Sequence, residues 1–139
     1  MKVYVLDTDT LSLLQRGHSN VTLRCAAKSP GELAITVISV EEQISGRLRF
    51  IRKVRKPDDL ARAYQSVIDT LRSLSKLPII SFPPAAFARY HQLIGLKLNV
   101  GRMDLRIAAT VLDVGGILVT RNVRDFSRVP GLALEDWSI

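Results

Sequence analysis

Short apolar runs separated by stretches of helical periodicity constrain this chain more than any other feature. Residues 3–6 form a short, fully apolar run, and residues 33–38, 79–82 and 117–120 are further strand-like runs. Runs of that length read as strands buried on both faces, and alternation with helices implies a mainly parallel sheet covered on each side. Between them, Thr8 or Asp9 can cap a helix through Arg16, ended by Gly17, and residues 21–28 are helix-like. Ser39 is expected to open a helix to about Val54. Pro57-Asp58 opens another, with Leu60, Tyr64, Val67, Ile68, Leu71 and Leu74 at helical spacing. Pro83-Pro84 starts a helix with Phe87, His91, Ile94 and Leu98 on one face, where His91 reads as packing. A last helix is expected over 104–114, stopped by Gly115-Gly116, and residues 132–137 offer an edge strand with Trp137 as its anchor. The expected fold is therefore a single α/β domain over residues 1–139.

The 139 residues suit one domain with a core of its own, and no repeat or linker interrupts them. The lone Cys25 reads as a small buried apolar residue suited to a reducing cytoplasm. The opening apolar run is too short for a signal peptide, and no run approaches the roughly 18 apolar residues of a membrane span. The net charge of +7 points toward polyanions, either nucleic acid or an acidic partner segment. Residues 47–56 alone hold six basic side chains, which could guide nucleic-acid phosphates, meet an acidic partner segment, or form a solvated helix face.

In open parallel sheets, ligands bind beyond the C-terminal ends of the strands. Asp7 ends the first strand, Glu42 follows the second, and Asp125 follows the last clear one. Asp104 opens the helix that leads into that last strand. Four carboxylates from distant parts of the chain could thus share one cleft, where they would repel unless protons or cations neutralise them. Oxygen donors without a cysteine or histidine cluster suit Mg²⁺ or Mn²⁺. Each acid also has a structural reading from spacing alone. Asp7 could start a helix, and Ser39 with Glu42 matches a capping box. Asp104 could serve the helix dipole, and Asp125 could pair with Arg121, Arg124 or Arg128.

Five segments, in order along nearly the whole chain, resemble the PIN-domain family and within it the VapC-type toxins. They are Val5-Leu6-Asp7-Thr8-Asp9, Ile35-Thr36-Val37-Ile38-Ser39-Val40-Glu41-Glu42 with Gly46, and Asp104-Leu105-Arg106-Ile107-Ala108-Ala109. The others are Leu118-Val119-Thr120-Arg121-Asn122-Val123-Arg124-Asp125-Phe126, and Arg128-Val129-Pro130-Gly131-Leu132 followed by Glu135-Asp136-Trp137. The resemblance implies a PIN fold and Mg²⁺- or Mn²⁺-dependent cleavage of RNA. It places Asp7, Glu42 and Asp104 in an acidic triad, with Glu42 chosen over Glu41 by its spacing to Gly46, and Asp125 at a fourth, more variable acidic position. Asn122, Thr120 and Asp9 are expected in support. Asp9 stands where the family commonly has Asn, and Arg102-Met103 is an uncommon lead-in to Asp104. Arg102, Arg106, Arg121 and Arg124 lie beside these acids in sequence and are candidate phosphate contacts. The resemblance further implies a cognate antitoxin and a homodimer. A housekeeping PIN nuclease of RNA processing, or a non-catalytic basic RNA-binding domain with structural carboxylates, are the alternative functions.

Overall fold

The computed structural model describes residues 2–139. Five strands form one sheet: β1 (Tyr4–Leu6), β2 (Leu33–Thr36), β3 (Ile79–Ile80), β4 (Ile117–Val119) and β5 (Ala133–Glu135). Their spatial order is β3-β2-β1-β4-β5, and every adjacent pair is parallel. The connections carry helices α1 (Thr8–Gln15), α2 (Ser19–Ala26), α3 (Val37–Lys53), α4 (Pro57–Leu74), α5 (Pro84–Gly95), α6 (Arg102–Val114) and α7 (Val123–Phe126). This is the expected α/β architecture with a parallel central sheet.

Alternation along each strand divides the core in two, as a period of two requires. Val5 and Leu118 face a cluster with Tyr90, Leu93, Leu105, Ile107, Phe126 and Val129 from α5, α6 and the segment around α7. Leu6, Ile35 and Val119 face the opposite cluster, with Leu11, Val21, Cys25, Leu74 and Trp137. Full burial of such side chains stabilises by roughly 1.5–3 kcal/mol each. Trp137 is fully buried against Tyr4 and anchors the tail. The turn into β4 needs its glycines: Gly115 is left-handed, with φ +67°, and a Cβ on Gly116 would lie 2.9 Å from the Val3 carbonyl oxygen.

Several element boundaries differ from the sequence expectation. β2 ends at Thr36, whose Oγ1 accepts the Ser39 amide at 3.2 Å, so α3 starts at Val37 rather than Ser39. α6 starts at Arg102, two residues early, β3 spans only two residues, and β4 stops at Val119. The larger correction concerns the helix faces. Of the apolar series on α4 only Leu74 is buried. Ala63 and Thr70 fill the rest of its packed face, while Leu60, Tyr64, Ile68 and Leu71 are exposed, Tyr64 by 57%. On α5, Ala86, Tyr90 and Leu93 face inward. Phe87 and His91 stack on each other at the surface, so His91 does not pack in the core. No helix among the described residues is long and apolar enough to cross a membrane.

Candidate active site

The sheet register builds the site. Leu6 lies beside both Ile35 on β2 and Val119 on β4. The next residues, Asp7, Thr36 and Thr120, therefore meet at the C-terminal edge. The Asp7 amide donates to the Val119 carbonyl at 3.0 Å and the Thr120 amide to that of Glu135 at 2.9 Å, carrying the ladder one step further. Asp7 is also the N-cap of α1: its Oδ1 accepts the Thr10 amide at 2.8 Å. Its Oδ2 accepts the Thr120 hydroxyl at 2.6 Å. Asp7 therefore starts the helix, as one reading of its spacing expected, and at the same time lines the cleft. Burial pushes its carboxyl up, the Thr120 and Thr10 hydrogen bonds hold it down, and the nearby Asp9 charge adds a smaller upward push.

Because α3 leaves β2 directly, Glu42 falls in its second turn, facing α1. The expected capping box at Ser39 does not form, since Thr36 caps the helix instead. Glu42 Oε1 accepts the Thr8 hydroxyl at 2.6 Å, and Thr8 Oγ1 also lies 2.9 Å from Ser39 Oγ. Asp104, in the first turn of α6, reaches the same place half-buried. Burial first, then the charges of Glu42, Asp7 and Asp125, push its carboxyl up to about 6. Asp7, Glu42 and Asp104 line one cleft of about 560 Å³ with Thr8, Asp9, Ser12, Arg121, Asn122 and Phe126.

Partners sort the acids into two groups. Among the described residues Asp7, Glu42 and Asp104 have no cationic side chain paired with them, whereas Asp9 pairs with Arg121 and Asp125 with Arg128. Asp125 Oδ2 accepts from Asn122 Nδ2 at 3.1 Å, its Oδ1 lies 3.3 Å from Arg128 Nη1, and it does not line the cleft. Of the three arginines that could claim it, Arg128 does so. Asn122 lines the cleft and caps α7, its Oδ1 accepting the Asp125 amide at 3.4 Å.

The proposed phosphate contacts separate too. Arg121 lines the cleft. Arg102 and Arg124 are exposed on neighbouring segments. Arg106 turns away, its guanidinium 5.1 Å from the Tyr90 ring centroid. The sequence reading missed Thr8, the hydroxyl partner of Glu42. It also missed Arg49, which with Ser45 and Met103 borders a smaller cavity on the other side of Glu42. Arg49 lies inside the basic run over residues 47–56, and that run was its only signal.

The donor chemistry fits a divalent cation: the cleft offers carboxylate oxygens, and two of the three acids, Asp7 and Asp104, are raised by burial and in part by their neighbours' charge. Among the described residues no three acidic, histidine or cysteine side chains are already gathered as a ligand set, so a cation would have to draw these carboxylates together.

Residues 4–132 match the PIN domain. The chain is 31% identical over 142 residues to ribonuclease VapC2 of Rickettsia felis, covering 97% of this chain and 98% of that one. It is 28% identical over 112 residues to the tRNA(fMet)-specific endonuclease VapC of Shigella flexneri, 78% of this chain and 77% of that one. Among solved structures, the DNA-bound VapBC of Salmonella typhimurium superposes with a TM-score of 0.77 at 25% identity, over 99% of each chain. The VapBC2 complex of Rickettsia felis on a promoter DNA fragment gives 0.68 at 28% identity, over 97% of this chain and 98% of that one. With the five-stranded parallel sheet and the acidic cleft at its C-terminal edge, these matches mean that the chain belongs to the PIN-domain family, in its VapC-type branch.

Proposed function

We propose that this protein is a Mg²⁺- or Mn²⁺-dependent endoribonuclease, the toxin of a toxin–antitoxin pair acting in the cytoplasm. One observation carries the catalytic part: three carboxylates without a cationic partner share one cleft in a protein of net charge +7. A divalent cation bound there would polarise a phosphoryl oxygen and make a water molecule a better nucleophile. Asp7, Glu42 and Asp104 would hold it. Thr120 and Thr8 each hold one oxygen, of Asp7 and Glu42 respectively, and so set the orientation of those carboxylates. Asp125, tied to Arg128, acts from outside the cleft. Arg121 at the mouth, with the exposed Arg102 and Arg124, attracts the RNA backbone, while the acids repel it unless a cation is present.

A protein partner is supported by the outward face of α4, where four large apolar side chains form an exposed band. The named relatives include VapBC complexes, and an antitoxin bound to this chain, itself a homodimer, is the corresponding assembly. The test is cleavage of RNA by purified protein, lost with EDTA and in Asp7→Asn, together with co-expression of the small reading frame beside the gene. A partner that co-purifies and suppresses cleavage supports the toxin. Active protein that is harmless on overexpression and has no such partner indicates a housekeeping nuclease. Cleavage that EDTA leaves untouched removes the metal from the reading.

A further inference from the structure

The cleft mouth carries an ion pair that the hydrolysis above does not use. Asp9 sits in the first turn of α1, and Arg121 follows β4, 112 residues away. Arg121 Nε donates to Asp9 Oδ2 at 2.7 Å and Nη2 donates to Oδ1 at 3.0 Å, a side-on fork using both carboxylate oxygens. That grip leaves Nη1 with no partner among the described residues, and Arg121 lines the cleft. The backbone on each side of Arg121 is fixed as well. The Thr120 amide is held by Glu135, and the Asn122 amide donates to Thr120 Oγ1 at 2.9 Å.

We propose that Asp9 is a positioning residue rather than a metal ligand: its fork with Arg121 holds the free edge of that guanidinium as a preformed clamp for an RNA phosphodiester. This rests on the reading of the cleft as an RNA site. Asp7 is held only by neutral donors, the Thr10 amide and the Thr120 hydroxyl, whereas the charge of Asp9 is already neutralised by a guanidinium, which makes Asp9 the weaker attractor of a cation. A long arginine side chain at a surface gives up rotamer freedom on binding phosphate, and one already locked by a carboxylate has less to lose. The pair thereby converts a flexible surface cation into an oriented one without adding net charge to the cleft.

The test uses single-stranded oligoribonucleotide binding in EDTA, which needs no cleavage, and direct Mn²⁺ titration. Both residues are about half exposed, so the variants should fold. Arg121→Ala should weaken RNA binding roughly tenfold or more. It should lower the slope of log affinity against log salt by about 0.7, the loss of one single-strand phosphate contact. Asp9→Ala should weaken binding in wild type but change little in an Arg121→Ala background, and Arg121→Lys should not restore the clamp because it lacks the fork. Mn²⁺ affinity should be unchanged, or slightly changed, in Asp9→Ala. A large loss of Mn²⁺ affinity there makes Asp9 a ligand and overturns the proposal. Additive effects, or RNA affinity unaltered in both single variants, reduce the pair to a surface ion pair and also overturn it. Failure of wild type to cleave RNA with metal would sink the nuclease reading while leaving this binding result standing.

Discussion

The Thr120 hydroxyl donates to Asp7 Oδ2 at 2.6 Å across 113 residues of sequence, and neither side chain is appreciably open to solvent. The register that pairs Leu6 with Val119 makes this contact a direct product of the sheet. Thr120→Val keeps the shape and removes the donor. It should reduce metal-dependent cleavage about 10–100-fold, as loss of a group orienting a ligand does. It should also cost roughly 1.5–3 kcal/mol of stability, the range for a buried hydrogen bond to a charged group. Thr120→Ser should retain most of both. Cleavage rates at saturating metal and denaturant titrations decide it, and wild-type rates in Thr120→Val would remove the orienting role.

Asp7→Asn and Asp104→Asn should each abolish most cleavage and leave the protein folded. Asp104→Asn should also stabilise the metal-free protein. Asp104 is held up to about 6 against an ordinary 3.8, so the fold binds its proton more tightly than the unfolded chain does. Its contribution to stability is therefore greatest below about pH 4 and is lost as pH rises to about 6. The group is only half-buried, so screening leaves a gain on the order of 1 kcal/mol for Asn at neutral pH. Melting curves from pH 4 to 8 should show the wild type and the variant diverging through that window. Parallel curves would mean that the carboxyl is not strained.

Protons and a cation compete for the same oxygens. Mn²⁺ affinity should therefore rise with pH through about 6 and level off above it. At pH 5 about a tenth of Asp104 is ionised, which predicts roughly tenfold weaker binding than at pH 7.5. Calorimetric titrations at pH 5, 6 and 7.5 measure this. Affinity independent of pH in this range would exclude Asp104 as a ligand.

Much of this arrangement was legible in the sequence, and particular residues show where legibility stops. Short apolar strands revealed the parallel sheet because burial on both faces leaves a continuous apolar run. Asp7, Glu42 and Asp104 stood out through family resemblance, and the structure gathers all three around one cleft. The sequence favours Ser39 as the start of α3 because Ser is the stronger cap by type, yet β2 ends at Thr36 and its hydroxyl takes the Ser39 amide. On α4 the periodic pattern marked a broad apolar face without saying that the packed stripe, Ala63, Thr70 and Leu74, lies about a quarter-turn from Leu60, Tyr64, Ile68 and Leu71. Arg106 is two residues from Asp104, but about 100° of helical rotation per residue carries it away from the cleft to Tyr90. Pairings across more than a hundred residues, such as Asp9 with Arg121, left no local signal.

The fourth acid gives the most discriminating expectation. Asp125 was a candidate ligand. In the structure it stands off the cleft, its carboxylate held by Asn122 Nδ2 at 3.1 Å and facing Arg128 Nη1 at 3.3 Å. Arg128 is itself anchored on the Asn99 carbonyl at 3.0 Å, so the guanidinium is not free to follow Asp125 inward. Yet the negative charge of Asp125 still contributes to raising Asp104, which means that its field reaches the site. A group that acts through its field and through Asn122 should tune cation binding without supplying an essential bond. Asp125→Asn should therefore lower cleavage by about 10–100-fold at limiting metal, less than Asp7→Asn, and excess Mn²⁺ should restore much of it. The same excess should do nothing for Asp7→Asn, because that change removes an oxygen charge from the cleft itself. Paired metal titrations of the two variants separate the cases. Wild-type behaviour of Asp125→Asn at limiting metal would leave Asp125 as a surface partner of Arg128. A loss as deep and as resistant to metal as that of Asp7→Asn would instead draw Asp125 into the cleft as a direct ligand.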